Sequence, residues 1–254
     1  MGLEAVIFDL GGTLLDWPDW VSDSPRRWGL SYDYFADDVA DDSVRVLPDD
    51  HWPSREDYVR AMGEAEAAHW KRVDEEWWSG PPSGLLADGF RRLGIHIRER
   101  ELVAALDGYA RAVDGWAVVF PDSRSTLEAL RSEGLRLGLL SNTWWAAEWH
   151  NADLAAHGLA GLLDEVVYTS DLAHSKPHPS VFHEIAGRLG VPAGDCVMIG
   201  DRLVDDVAGA QSAGMRGIWK ANDRPWPRSP SVRPDAEVEA LSELPALLRR
   251  WRNA

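Results

Sequence analysis

Apolar positions recur along the chain with two different periods, and the change of period divides it. Near the start, "AVIF" is a continuous apolar run that delivers one carboxylate, Asp9, into the turn "LGGT", which reads as a buried strand ending in a glycine turn. From about Asp16 to Gly115 the spacing becomes helical, with loops and no strand pattern. The clearest helix lies in "SREDYVRAMGEAEAAHWKRVDEEWW": Ser54 and Asp57 have capping-box spacing, Tyr58, Met62, His69, Val73 and Trp77 recur at helical intervals, and "SGPPSG" ends it. Shorter helices are expected around "LLADGFRRLG" and "ERELVAALDGYARAV". From Phe120 onward the short apolar strands "LRLGLLSN", "DEVVYTSD", "DCVMIGD" and "RGIWK" alternate with amphipathic helices, and a last helix near "LSELPALLRRW" follows the Pro-rich loop "NDRPWPRSPSVRP". Such alternation predicts right-handed crossovers and a parallel sheet. The expected fold is therefore α/β, a doubly wound parallel sheet of residues 1–15 and 116–254 interrupted after its first strand by an α-helical cap of residues 16–115.

Composition narrows the class without altering that picture. A length of 254 residues accommodates a large core with an insert, and 45% hydrophobic with 27% charged residues is the balance of a soluble globular protein. No apolar run reaches the roughly 18 residues of a membrane span, so no membrane partner is expected. The first strand begins too close to Met1 for a signal peptide, and the single cysteine, Cys196, lies in an apolar strand pattern, so a cytoplasmic location is expected. A net charge of −16 repels polyanions and argues against nucleic acid as a partner. The acidic stretch "DYFADDVADDSVRVLPDD" reads as a solvated loop or cap face.

Ligands of doubly wound sheets bind at the carboxyl ends of the strands, and here those ends carry unlike polar groups. Asp9 follows the first strand, Ser141 and Asn142 close the second, Lys176 lies in the loop after the third, and Asp201, Asp205 and Asp206 follow the fourth. Each residue alone is also an ordinary turn or cap residue, so their joint arrangement carries the chemical reading. A carboxylate attacking phosphorus must overcome the repulsion between two anions, which takes a divalent cation and fixed donors around the phosphoryl oxygens. Asp9 and Asp201 would hold Mg²⁺, a hard ion that prefers oxygen, while Lys176, Ser141 and turn amides near Gly11 and Gly12 would bind the phosphoryl group.

With "AVIFDLGGTLLDW", "LRLGLLSN", "HSKPHP" and "GDRLVDD" in this order, the chain resembles the haloacid dehalogenase superfamily over nearly its whole length. The resemblance is to phosphatase-like members, which have a helical cap inserted after the first strand of a Rossmann-like core. It implies that Asp9 is a covalent nucleophile, Ser141 a phosphate-binding hydroxyl, Lys176 a charge-neutralising lysine and Asp201 a metal ligand. It further implies that Thr13 fixes the first loop, that the backbone carbonyl of Gly11 joins the metal site, and that Asp205 or Asp206, with Asp206 preferred, supports it. The cofactor implied is Mg²⁺ and the partner a small phosphorylated molecule, handled by a monomer or homodimer.

Gly11 departs from the family pattern, which usually has a second aspartate there to protonate the leaving alcohol and then activate water. Such help is worth roughly 10² to 10⁴ in rate. The chain must find it elsewhere, use an easy leaving group or run slowly; Asp16, Asp19, His51 and His69 are the cap candidates for a replacement. Fourteen tryptophans are unusually many, and Trp144 and Trp145 follow the second motif directly, as an aromatic wall for substrate or as packing for the cap. Two other functions stay open: a metal-independent 2-haloacid dehalogenase in which Asp9 attacks carbon, which leaves Asp201 and its neighbouring acids without use, and a non-catalytic binder of phosphorylated ligands.

Overall fold

The computed structural model describes residues 2–20, 22–40, 52–224, 226 and 229–253. Strand β1 (Ala5–Phe8) is followed by the two-residue β2 (Leu15–Asp16), by helices α1 (Ser24–Ala40), α2 (Arg55–Glu76), α3 (Pro82–Arg92) and α4 (Glu99–Val113), and by β3 (Val118–Val119). The chain then alternates α5 (Ser123–Ser132), β4 (Arg136–Ser141), α6 (Ala147–Ala156), β5 (Glu165–Tyr168), α7 (Pro179–Leu189), β6 (Cys196–Gly200), the short α8 (Gly209–Ser212) and β7 (Arg216–Lys220), ending with β8 (Ala236–Val238) and α9 (Leu244–Arg252). The sheet runs β5-β4-β1-β6-β7-β8 with every pair parallel. Strand β1 is therefore the point where the winding reverses, and the crevice at its carboxyl end is where such sheets hold ligands.

Alternation along β1 shows why its residues read as one apolar run. Val6 and Phe8 pack with Leu127 and Leu130 of α5 and Leu244 and Leu248 of α9, whereas Ala5 and Ile7 pack with Phe182 and Ile185 of α7 and Ala210 of α8. Both faces are covered, so no polar position is tolerated between them. Among the described residues no helix is long and apolar enough to cross a membrane.

The four helices α1 to α4 lie between β2 and β3, and two backbone seams tie this stretch to the rest of the chain. At the first, β2 and β3 pair antiparallel, Leu15 opposite Val119 and Asp16 opposite Val118, so the outgoing and returning chains cross side by side. At the second, the segment after α2 lies along the loop that precedes Lys176: Ser79 N–H donates to Ala173 O (3.3 Å), Ser175 N–H to Trp77 O (2.9 Å) and Ser79 Oγ to Thr169 O (2.6 Å). Helix α2 starts as its capping spacing suggests, with Ser54 Oγ accepting from Asp57 N–H, and stops at Trp77 in the left-handed conformation.

Four elements escaped the sequence pattern. Helix α1 begins at Ser24, and its first acidic residues from the stretch Asp33–Asp50 are helical; residues 41–50 lie outside the described residues. Its buried apolar side chains are aromatic, Trp28 and Phe35, widely spaced among charges and polar groups, so the apolar period is thin. The two-residue β2 and β3 and the three-residue β8 are too short to show a period at all.

Candidate active site

Strand β1 delivers Asp9, whose N–H donates to Ile199 O of β6 (2.8 Å) and so ties the acid to two strand ends. Lys176 approaches from the loop between β5 and α7. The Asn142 side chain clasps its backbone, donating to Lys176 O (2.9 Å) and accepting from Lys176 N–H (2.8 Å). The Lys176 ammonium then uses its three donors on Asp9 Oδ1 (2.6 Å), Asp206 Oδ1 (2.6 Å) and Leu140 O (3.0 Å). Asp206 sits on the turn Leu203–Ala208, and its other oxygen accepts from Arg202 N–H (2.9 Å). Asp205 turns away to the Arg202 guanidinium (3.1 Å), so Asp206 is the acid of this pair that joins the cluster.

Asp9, Asp201 and Asp206 are all buried, and their carboxylate oxygens lie within 4.8 Å of one another. Asp201 divides its two oxygens. Oδ2 accepts from Asn222 Nδ2 (2.9 Å) and Trp226 Nε1 (2.8 Å), while Oδ1 is buried with no partner. Three carboxylates against one ammonium leave surplus negative charge, and the orphaned oxygen is the donor a hard divalent cation takes. The residues present therefore fit such an ion. Burial raises the Asp9 carboxyl to about 7, with Lys176 pulling against that shift and Asp206 and Asp201 reinforcing it. Burial and then Asp206 raise Asp201 as well. Burial disfavours the charge of Lys176, but Asp206 and Asp9 more than reverse this, so it stays protonated beyond the ordinary lysine range.

The glycine turn supports the cluster from below. Gly12 has a φ of +80°, and a Cβ there would stand 2.3 Å from Asp201 Oδ2, so the position admits only glycine. Its N–H donates to Leu15 O (2.8 Å) and its carbonyl accepts from Lys220 Nζ (3.1 Å). The Gly12 N–H thus closes the turn. Thr13 is buried, its N–H bonded to Leu10 O (3.2 Å) and its hydroxyl unpartnered.

Above Asp9 lies a cavity of about 250 Å³, bordered by Asp9, Gly11, Ser141, Asn142, Trp144 and Lys176 from the sequence reading, whereas Gly12, Thr13, Asp201 and Asp206 stand outside its lining. Trp144 packs against α1 and also borders the cavity. It stacks on Trp28 of α1 with centroids 5.8 Å apart and planes 9° apart, tying α1 to the chain after β4. The direction in which a Gly11 side chain would point is filled: a Cβ would lie 3.4 Å from Cζ3 of Trp17. Of the cap acids and histidines, Asp16 borders the cavity paired to Arg224. Asp19 is exposed outside the cavity lining, and His69 is buried along α2 between Trp70 and Trp78, its charge disfavoured by burial so that its pKa falls to about 4. His51 lies outside the described residues.

Sequence reasoning missed Trp17, Arg202, Arg224, Asn222 and Trp226. The last two come from the Pro-rich loop, 21 and 25 residues beyond Asp201, and carry no periodic signal.

A family model described as haloacid dehalogenase-like hydrolase matches residues 3–214. The chain is 32% identical over 165 residues to the glyceraldehyde 3-phosphate phosphatase of Methanopyrus kandleri, spanning 63% of this chain and 69% of that one. It is 28% identical to the N-acylneuraminate-9-phosphatase of Mus musculus over 98% of this chain and 96% of that one. Among solved structures, the 2-haloacid dehalogenase of Pseudomonas syringae superposes with a TM-score of 0.66 at 27% identity, covering 98% of this chain and 99% of that one.

Proposed function

Since this chain belongs to the haloacid dehalogenase-like hydrolases, we propose that it hydrolyses small phosphate monoesters through an aspartyl phosphate on Asp9. The observation that carries the reading is the placement of Lys176 Nζ at 2.6 Å from both Asp9 and Asp206, beside the unpartnered Oδ1 of Asp201. A carbon-attacking enzyme has no need of Asp201 and Asp206, whereas a phosphoryl site needs a cation where those acids lie. The names of the phosphatase relatives support the same direction.

Asp9, Asp201, Asp206 and the Gly11 carbonyl would hold Mg²⁺, which supplies the positive charge that lets an anionic nucleophile meet an anionic phosphoryl group. Lys176 holds Asp9 Oδ1 and so orients the carboxylate, and it brings one full charge to the phosphoryl oxygens. Asn142 positions that lysine through its backbone. Ser141, at the end of β4, offers its hydroxyl to the phosphoryl group. Attack forms a bond from Asp9 to phosphorus and expels the leaving oxygen with its electron pair; water then attacks the same phosphorus, releasing inorganic phosphate and restoring Asp9. Gly11 has no carboxyl to assist either step. The insert of residues 16–115 acts as the cap that covers the nucleophile and determines which ester enters.

The test is hydrolysis of an aryl phosphate with Mg²⁺, with excess chelator, and in Asp9→Asn. Turnover is expected only in the parent chain with Mg²⁺. Undiminished turnover in chelator refutes the reading. Likeness to a dehalogenase structure motivates a second arm: halide release from a 2-haloacid without metal would favour attack on carbon.

A further inference from the structure

We infer that the cavity selects phosphate monoesters of phenols, ring-bearing leaving groups that depart as phenolates without a proton from the enzyme. This deepens the phosphatase reading above and rests on it.

The first ground is the absence of a placed acid. Among the described residues, the protonatable carboxyl, imidazole and amine groups bordering the cavity are Asp9, Asp16, Asp74, Asp205, His150 and Lys176. Asp9 and Lys176 already have their roles. Asp16 is paired to Arg224 and Asp205 to Arg202 (3.1 Å). His150 binds Thr143 Oγ1 through Nε2 (2.9 Å) and is stacked between Trp145 and Tyr168, each centroid 5.0 Å away. Asp74 is solvent-exposed on α2 at the cavity border, and the Asp74→Asn arm of the experiment below tests it as a proton donor. Over Gly11, where the family usually has a second aspartate, a Cβ would touch the indole of Trp17 at 3.4 Å. That indole is held by its edge contacts to Trp145 (5.6 Å) and His150 (5.4 Å), directly after the β2–β3 pairing at Asp16.

The second ground is the wall. Trp17, Trp20, Trp70, Trp144, Trp145 and Trp226 border the cavity. Trp144, Trp145 and Trp20 each pack one face on Trp28, His150 and Trp116, which fixes their rings, so the cavity border is rigid and aromatic, and a ring-bearing group pairs with such a border through offset or edge contacts. Each arginine on the border already has a carboxylate partner, Arg224 with Asp16 and Arg202 with Asp205.

The two grounds converge because a phenol, with a pKa of about 10, is a far better leaving group than an alcohol. In the transfer, Asp9 forms its bond to phosphorus, the bond from phosphorus to the aryl oxygen breaks, and its electron pair stays on that oxygen as phenolate, which takes a proton from solvent after release. Water then adds to phosphorus, the bond to Asp9 breaks, and the proton of water leaves with phosphate or to solvent.

The experiment compares kcat/KM, which reports the steps through phosphoryl transfer, for substituted phenyl phosphates of graded acidity, 2-naphthyl phosphate, ethyl phosphate and glycerol phosphate, all with Mg²⁺. The expected result is a rate that falls steeply as the phenol becomes less acidic, with the alkyl esters about a hundredfold below phenyl phosphate. Trp17→Ala should raise KM for the aryl esters more than for the alkyl ones, and Trp17→Phe should restore much of the difference. Alkyl esters turned over as well as aryl ones, a flat dependence on phenol acidity, or a loss confined to alkyl esters in Asp74→Asn would each overturn the inference by revealing a supplied proton. Failure to hydrolyse any ester would instead overturn the phosphatase reading itself.

Discussion

Gly12 and Asp201 occupy one space: a Cβ on Gly12 would stand 2.3 Å from Asp201 Oδ2, at a residue whose φ is +80°. The turn after β1 is therefore shaped around the acid that follows β6, and the two motifs are one device although 189 positions separate them by subtraction of their numbers, 201 and 12. Gly12→Ala must both strain the backbone, on the order of 1–3 kcal/mol, and displace the carboxylate. Calorimetric titration should show Mg²⁺ binding weakened by about ten- to a hundredfold in this variant, with turnover reduced in step. Parental Mg²⁺ affinity in a folded Gly12→Ala protein would remove Asp201 from the metal site.

Lys176→Met leaves Asp9 and Asp206 in a buried site without the ammonium that bonds both. Removing one partner of a buried ion pair costs about 3–5 kcal/mol. Denaturant unfolding of the metal-free variant should register a loss of that order, and turnover should fall by about a hundredfold. Added Mg²⁺ should recover part of the stability, since it supplies charge to the same carboxylates. A variant as stable and as active as the parent would show that the 2.6 Å contacts do not matter to either property.

Asp9 links metal binding to pH. Burial raises its carboxyl to about 7, so the metal-free protein holds a proton there below that pH. Because the folded value lies above the ordinary 3.8, this proton stabilises the metal-free fold at acid pH, and the contribution is lost as pH rises through about 7. Coordination needs the carboxylate, so Mg²⁺ must expel the proton. Titrations near about pH 6 in buffers of different ionisation enthalpy should show proton release, with affinity rising up to about tenfold per pH unit and levelling above about 7. Asp9→Asn should reduce the release, leaving what Asp201 supplies. Binding heats at about pH 6 that do not vary with the buffer would contradict the link.

Restoring an acid at Gly11 tests what Trp17 does. Its backbone carries no positive φ, and a Cβ would lie 3.4 Å from Trp17 Cζ3, so the first side-chain atom fits in contact with the ring. Gly11→Asp alone should gain little on ethyl phosphate. Combined with Trp17→Ala, the same change should raise single-turnover rates on alkyl esters more than the sum of the two single changes, because the residues share one space. Additive effects would mean that the indole does not occupy the path of the acid.

Much of the fold was legible because its signals are local. The runs ending at Asp9, Ser141 and Asp201 are buried on both faces, which forces continuous apolar sequence, and helix α2 declares itself through Ser54 and Asp57. The order of strands and helices then brings Asp9, Ser141, Lys176 and the acids after β6 to one edge, since parallel crossovers leave all carboxyl ends together. The choice between Asp205 and Asp206 was already narrower than it looked, because adjacent residues on a helical turn point in different directions and only one meets Lys176.

What the sequence by itself determined is the set of strand-end groups and the absence of a carboxyl at residue 11. Only the tertiary structure decided what stands in that place, how Asp201 shares its oxygens with Asn222 and Trp226, and that the Gly12 amide is committed to Leu15. Backbone periodicity is a property of neighbours a few residues apart and survives in the sequence. The direction of an indole, or the partner of one carboxylate oxygen, depends on packing between segments whose separation along the chain leaves no repeating pattern, so it exists only once those segments have packed together.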